Sequence, residues 1–154
     1  MEVDNVQDRI WHYSMDTEGH LWHDGAEFED PQVLKFFMRK MEKQADGKFK
    51  VICQGETCYI EPQDVPYVVQ KINFLPDKIE LIFQGDYREA LDPNSLYVGK
   101  DNVLYCKVRG GNFNARFNRK PYLELAHQIE HDPKHHGFCL IFGGKSYPIQ
   151  GVHD

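Results

Sequence analysis

The order hairpin, helix, hairpin is written twice in this chain, at an offset of about 90 residues. That repetition constrains the fold more than any single motif does. In the first copy Leu21-Trp22-His23 and Ala26-Glu27-Phe28 flank Asp24-Gly25, a pair suited to a two-residue turn with positive φ at both central positions. The register pairs Leu21 with Phe28, and Trp22 with Glu27 on the other face. Asp30-Pro31 reads as an N-cap and first helical position. Val33, Leu34, Phe37, Met38 and Met41 recur at helical spacing, which predicts a helix over 31–44 stopped by Asp46-Gly47. Phe49, Val51 and Cys53 then alternate, and a turn at Gly55-Glu56 would set Cys53 against Cys58 and Val51 against Ile60.

The second copy opens on Leu104, Cys106 and Val108, turns at Gly110-Gly111, and returns through Phe113, Ala115 and Phe117. The implied pairs are Val108 with Phe113, Cys106 with Ala115 and Leu104 with Phe117. A helix from about Lys120 to His131 follows, capped by Asn118, with Tyr122, Leu125, Ala126 and Ile129 as its apolar stripe. Phe138, Leu140 and Phe142, Gly143-Gly144, then Tyr147 and Ile149 form the last hairpin. Pro31 matches Pro121 and Gly47 matches Gly137. Between the copies, Val65–Val69 and Ile79–Phe83 read as strands.

The expected fold is therefore α+β: a duplicated hairpin–helix–hairpin unit, two main helices, and mixed or antiparallel sheets. The expected division is a lead over 1–17, a first half over 18–83, a connection over 84–100 and a second half over 101–154, with one compact unit as the alternative. Ile10-Trp11-His12-Tyr13 in the lead is expected to add an edge strand. At 154 residues and 41% hydrophobic the chain buries enough surface to form a core without staples. The same composition excludes collagen, coiled-coil and disordered acidic classes.

The net charge of −6 argues against bulk nucleic-acid binding. It is unevenly spread: residues 1–77 hold 8 basic and 15 acidic side chains, residues 78–154 hold 10 and 9. An anionic ligand should prefer the second half. No apolar run is long enough to span a bilayer. The acidic N-terminus lacks the order of a signal peptide, so a cytoplasmic protein with four reduced cysteines is expected.

Leu21-Trp22-His23-Asp24-Gly25, Asp46-Gly47, Glu61 to Val69, Gly85-Asp86 with Leu91-Asp92-Pro93, and Ala115 to Tyr122, taken in order, resemble the uncharacterised bacterial domain-of-unknown-function family 1285. The resemblance implies a mixed α+β protein with a duplicated core, whose second half is superficially like a pleckstrin-homology fold. It also implies a ligand-binding role in signal transduction, for a nucleotide-like molecule between the halves. It supplies no catalytic residues and no cofactor.

The most informative stretch is 102–123, which has no Asp or Glu but has Lys107, Arg109, Arg116, Arg119 and Lys120 among Tyr105, Phe113, Phe117 and Tyr122. Phe113 and Phe117 should point inward, leaving Tyr105 and Arg116 as outward cross-strand neighbours beside Lys107. Arg can clamp a phosphate or carboxylate with two parallel bonds, and a helix start favours an anion near Arg119 and Lys120. The expected ligand site is thus Arg116, Arg119, Lys120 and Lys107, with Tyr105 or Tyr122 stacking and Trp22 closing the groove from the first half. The competing reading is a solvated sheet face.

Glu124, His127 and His131 would share one helix face, as in some zinc sites, with His135 and His136 nearby. That makes a metal-dependent hydrolase the alternative function. A third reading is a protein–protein scaffold or homodimer pairing through strand edges at 10–13 or 145–149. Cys53 and Cys58 read as small core residues. No nucleophile has a base at a telling spacing, so a non-enzymatic binding module is the leading expectation.

Overall fold

The computed structural model describes residues 9–134 and 137–151. The chain divides into two units, Met1–Pro66 with Gln84–Tyr87, and Tyr67–Phe83 with Arg88–Asp154.

The first unit holds β1 (Ile10–Met15), β2 (Leu21–His23), β3 (Ala26–Phe28), α1 (Pro31–Lys40), β4 (Glu42–Lys43), β5 (Phe49–Cys53) and β6 (Glu56–Pro62). All six strands form one sheet in the order β3-β2-β1-β6-β5-β4. β1 is not an edge strand: it runs antiparallel to β2 and parallel to β6, with Tyr13 opposite Ile60. β6 pairs with β1 along its whole length, whereas β2 pairs only with Ser14 and Met15. Met15, Val51, Cys58 and Ile60 are buried while Ile10 and Ile52 are exposed, the alternation that strand geometry imposes. Tyr13 meets Phe28 and Phe37 on the buried face, each with ring centroids 5.7 Å away.

Asp30 caps α1, its Oδ1 accepting from the backbone N–H groups of Gln32 and Val33 at 3.0 and 3.3 Å. The helix ends at Lys40 rather than at 44. Met41 is extended (φ −57°, ψ 140°) and buried, and the next two residues pair with β5. Strand pairing here overrides the helical spacing that Met41 continues. The Leu21–Phe28 and Trp22–Glu27 pairs form as expected. The β5–β6 register differs: Gln54-Gly55 is the turn, with φ of 53° and 82°. Cys53 therefore faces Glu56, and Cys58 faces Val51. Glycine takes the second turn position, as it does at Asp24-Gly25, so the expected Cys53–Cys58 opposition does not exist.

The second unit holds β7 (Tyr67–Val69), β8 (Lys71–Phe74), β9 (Ile79–Ile82), β10 (Arg88–Ala90), β11 (Tyr97–Val98), β12 (Leu104–Val108), β13 (Phe113–Phe117), α2 (Arg119–Ala126), β14 (Ile129–Asp132), β15 (Gly137–Phe142), β16 (Lys145–Pro148) and β17 (Gln150–Gly151). They form a five-stranded sheet, β17-β11-β12-β13-β7, and two three-stranded sheets, β10-β9-β8 and β14-β15-β16. The β12–β13 register is the expected one: Val108 faces Phe113 and Cys106 faces Ala115, all four buried. β16 is a sheet edge.

The duplication is thus one of element order. In the first unit both hairpins belong to one sheet, whereas in the second they belong to different sheets. Among the described residues no helix is long and apolar enough to cross a membrane. Cys53, Cys58, Cys106 and Cys139 are free thiols.

Candidate functional site

The β12–β13 hairpin fixes which side chains share a sheet face. Tyr105 lies opposite Arg116, and Lys107 opposite Asn114. On the flanks, Tyr97 lies opposite Tyr105 and Val68 opposite Arg116. Lys107 is exposed and Arg116 half-buried, so the basic groups stand on this face as expected. Tyr105 does not serve as an open aromatic surface. It is only 9% exposed, because Tyr97 stacks on it with centroids 5.2 Å apart and planes 13° from parallel. The Tyr97 hydroxyl donates to Asn114 Oδ1 at 3.0 Å. Tyr97, placed by sequence within a polar connection, is the ring that flanks the basic face. Its strand is two residues long, too short for any alternation to show.

Asn118 stands at the start of α2 in an extended conformation (φ −64°, ψ 165°), and its side chain does not cap the helix. Its Nδ2 donates instead to Gln70 Oε1 at 3.3 Å. Pro121 and Leu125 are buried and anchor the helix. Arg119 and Lys120 are exposed in its first turn, and Tyr122 is 37% exposed. Among the described residues no carboxylate lies in ion-pair reach of Lys107, Arg119 or Lys120. Uncompensated cations at an uncapped helix start favour an anion there.

Arg109 is committed elsewhere. Its Nη1 donates to the Tyr67 hydroxyl at 2.7 Å, and its guanidinium lies 5.1 Å from the centre of the Phe113 ring. Its backbone N–H donates to the Glu89 carboxylate at 3.1 Å. Burial pushes the Tyr67 phenol up to about 12, against the opposing pull of Arg109. Arg109 is a structural clamp on a buried tyrosine.

Trp22 belongs to the first unit and is half-buried. Its Nε1 donates to Asp16 Oδ2 at 3.0 Å. Burial raises the Asp16 pKa, but the bonds from Trp22, His20 and Glu18 outweigh it and hold the carboxyl below its ordinary value. Through Ser14, which pairs with both Trp22 and Glu61, Trp22 shares a sheet face with Glu61.

The helix face expected to present Glu124, His127 and His131 does not form. α2 ends at Ala126 and His127 is its C-cap. The last turn tightens, with the N–H of His127 donating to Glu124 O and that of Gln128 to Leu125 O. Ile129 begins β14, opposite Leu140, instead of continuing the helical stripe. His131 is thus a strand residue opposite Phe138, and Glu124, His127 and His131 share no helix face. Among the described residues no cluster of three or more His, Cys, Asp or Glu could hold a metal. His135 and His136 lie outside the described residues.

A cleft that sequence reasoning did not find lies in the first unit. Its volume is about 620 Å³, and its lining includes His12, Lys48, Phe49, Tyr59, Glu61 and Asp64. Only the parallel β1–β6 pairing brings His12 opposite Tyr59, and no local pattern announces such a long-range pairing.

No family model matches the chain, and no curated protein matches it. Two solved structures share its fold. A DUF1285 family protein from Silicibacter pomeroyi DSS-3 aligns with a TM-score of 0.70 at 17% identity, covering 94% of this chain and 84% of that one. A DUF1285 family protein from Shewanella baltica OS155 aligns with a TM-score of 0.61 at 14% identity, covering 75% of this chain and 90% of that one. The fold is the one the motif resemblance implied.

Proposed function

We propose that this chain is a non-enzymatic binding module, of the signalling or regulatory kind, that takes up a small anionic or nucleotide-like ligand on the basic face of its second unit. Arg119 and Lys120 hold the phosphate or carboxylate at the start of α2. Arg116 and Lys107 extend the positive surface along the sheet. Tyr122 supports the flat part of the ligand in place of Tyr105, whose ring is covered. The observation that supports this most is the pair of exposed cations at an uncapped helix start, with no described carboxylate in reach.

Isothermal titration with adenosine monophosphate and with adenosine, at low ionic strength, tests the reading. The monophosphate should bind and adenosine should bind at least tenfold more weakly. The double variant R119A/K120A should lose at least tenfold in affinity while keeping the wild-type circular dichroism spectrum. Equal binding of the two compounds, or an unchanged affinity in the double variant, would refute the assignment.

A further inference from the structure

The cleft of the first unit is built on the outer face of its sheet. The register sets the rows of that face: Ile10, Thr57 and Ile52 in one, and His12, Tyr59, Lys50 and Glu42 in the next. The opposite face carries Met15, Val51, Cys58 and Ile60 into the core. His12 and Tyr59 stack across β1 and β6, with centroids 5.6 Å apart and planes only 17° from parallel. Glu61, Asp64 and Lys48 also belong to the lining. A volume of about 620 Å³ is within the range of cavities that enclose a small organic molecule.

From this combination we propose that the cleft binds a flat aromatic molecule carrying a protonated amine. Parallel rings offer stacking to a third aromatic ring, and the electron-rich face of Tyr59 favours a nearby cation. With Lys50 and Glu42 of the adjoining row counted, three carboxylates stand against two ammonium groups, so a cation is favoured over an anion. The described residues of the first unit, 9–66 and 84–87, strengthen that field with 12 acidic and 7 basic side chains. This site is separate in residues and opposite in charge preference from the basic face of the second unit. It would bind a different class of compound.

Three indole compounds of similar ring size discriminate the charge: tryptamine, indole and indole-3-acetate. Equilibrium dialysis of the full chain at low ionic strength should show saturable tryptamine binding, with indole-3-acetate at least tenfold weaker. E61Q/D64N removes the charge with little change in shape and should erase that preference. H12A should weaken tryptamine and indole alike by removing half of the stack. R119A/K120A should leave tryptamine binding unchanged, which separates this site from the one proposed above. Indole-3-acetate binding as tightly as tryptamine, no saturable binding of tryptamine, or full preference retained in E61Q/D64N would overturn the proposal.

Discussion

Tyr97 lies flat over Tyr105, with centroids 5.2 Å apart and an interplanar angle of 13°. Gly99 leaves room for the Tyr105 ring: a Cβ there would come within 2.5 Å of Tyr105 Cε2. The stack removes Tyr105 from the surface and makes Tyr97 the ring bordering Arg116 and Lys107. Y97F keeps the ring and loses the bond to Asn114, an exposed contact, so it should cost about 0.5 kcal/mol. Y97A also loses the ring pairing and uncovers Tyr105, and should cost about 2 kcal/mol. Urea denaturation of the two variants measures the difference. Equal stability of Y97A and Y97F would show that the stack contributes nothing.

Gly85 should tolerate no side chain. It stands at φ 68°, and a Cβ would lie 2.3 Å from the backbone nitrogen of Lys35 and 2.7 Å from the carbonyl carbon of Leu34. The obstacle is helix backbone, which cannot rotate aside as a side chain would. G85A should therefore destabilise the first unit by about 2 kcal/mol or more, through overpacking combined with a left-handed backbone conformation. G47A is the control. It shares a positive φ, 88°, but no atom lies within 4 Å of its Cβ position, so its cost should be that of the backbone conformation alone. Thermal unfolding of both variants decides this.

The Tyr67 phenol sets an alkaline limit. Its pKa is raised from 10.0 to about 12, chiefly by burial. Between those values the unfolded chain has released the phenolic proton while the folded chain retains it. The stability that protonated Tyr67 contributes is therefore complete below pH 10 and disappears as pH rises toward about 12. Y67F cannot ionise and should show a shallower loss of stability over that window, despite losing its bond to Arg109. Denaturation midpoints at pH 9, 10 and 11 check the slope. A wild-type slope no steeper than that of Y67F would contradict it.

Cys58 should be unreactive in the folded protein. Burial, reinforced by Cys53 and Glu56, pushes its thiol up to about 11, which leaves little thiolate at neutral pH. Cys106 is fully buried and shifted in the same direction. A thiol reagent at pH 8 should label Cys53, which is half-buried, well before Cys58 or Cys106. Peptide mapping after timed labelling reads the order. Labelling of Cys58 as fast as Cys53 would mean that this part of the first unit opens readily.

The hairpins with strict alternation were legible because strand period and turn chemistry agree: Leu21–Phe28 and Val108–Phe113 pair as their sequences imply. Legibility failed where two periods overlapped. Met41 and Ile129 continue a helical stripe on paper, yet each lies where the chain has left the helix for a sheet. The Cys53–Cys58 opposition failed because either of two adjacent dipeptides could form the turn, and Gln54-Gly55 alone puts glycine second. In the basic face, Arg116 and Lys107 stand where the register put them, since one hairpin determines both. The burial of Tyr105 is not legible in the sequence, because its cover comes from Tyr97, on a two-residue strand. The aromatic cleft depends on the parallel pairing of β1 with β6, which joins segments more than 40 residues apart and leaves no local trace.

The proposed anion site is tested most directly by a heteronuclear nuclear magnetic resonance titration of the full chain with adenosine monophosphate at low ionic strength. The account predicts saturable shifts centred on the backbone amides of Arg119, Lys120 and Tyr122, extending to Arg116 and absent in R119A/K120A. Shifts confined to other residues, or no shift at the start of α2, would contradict it.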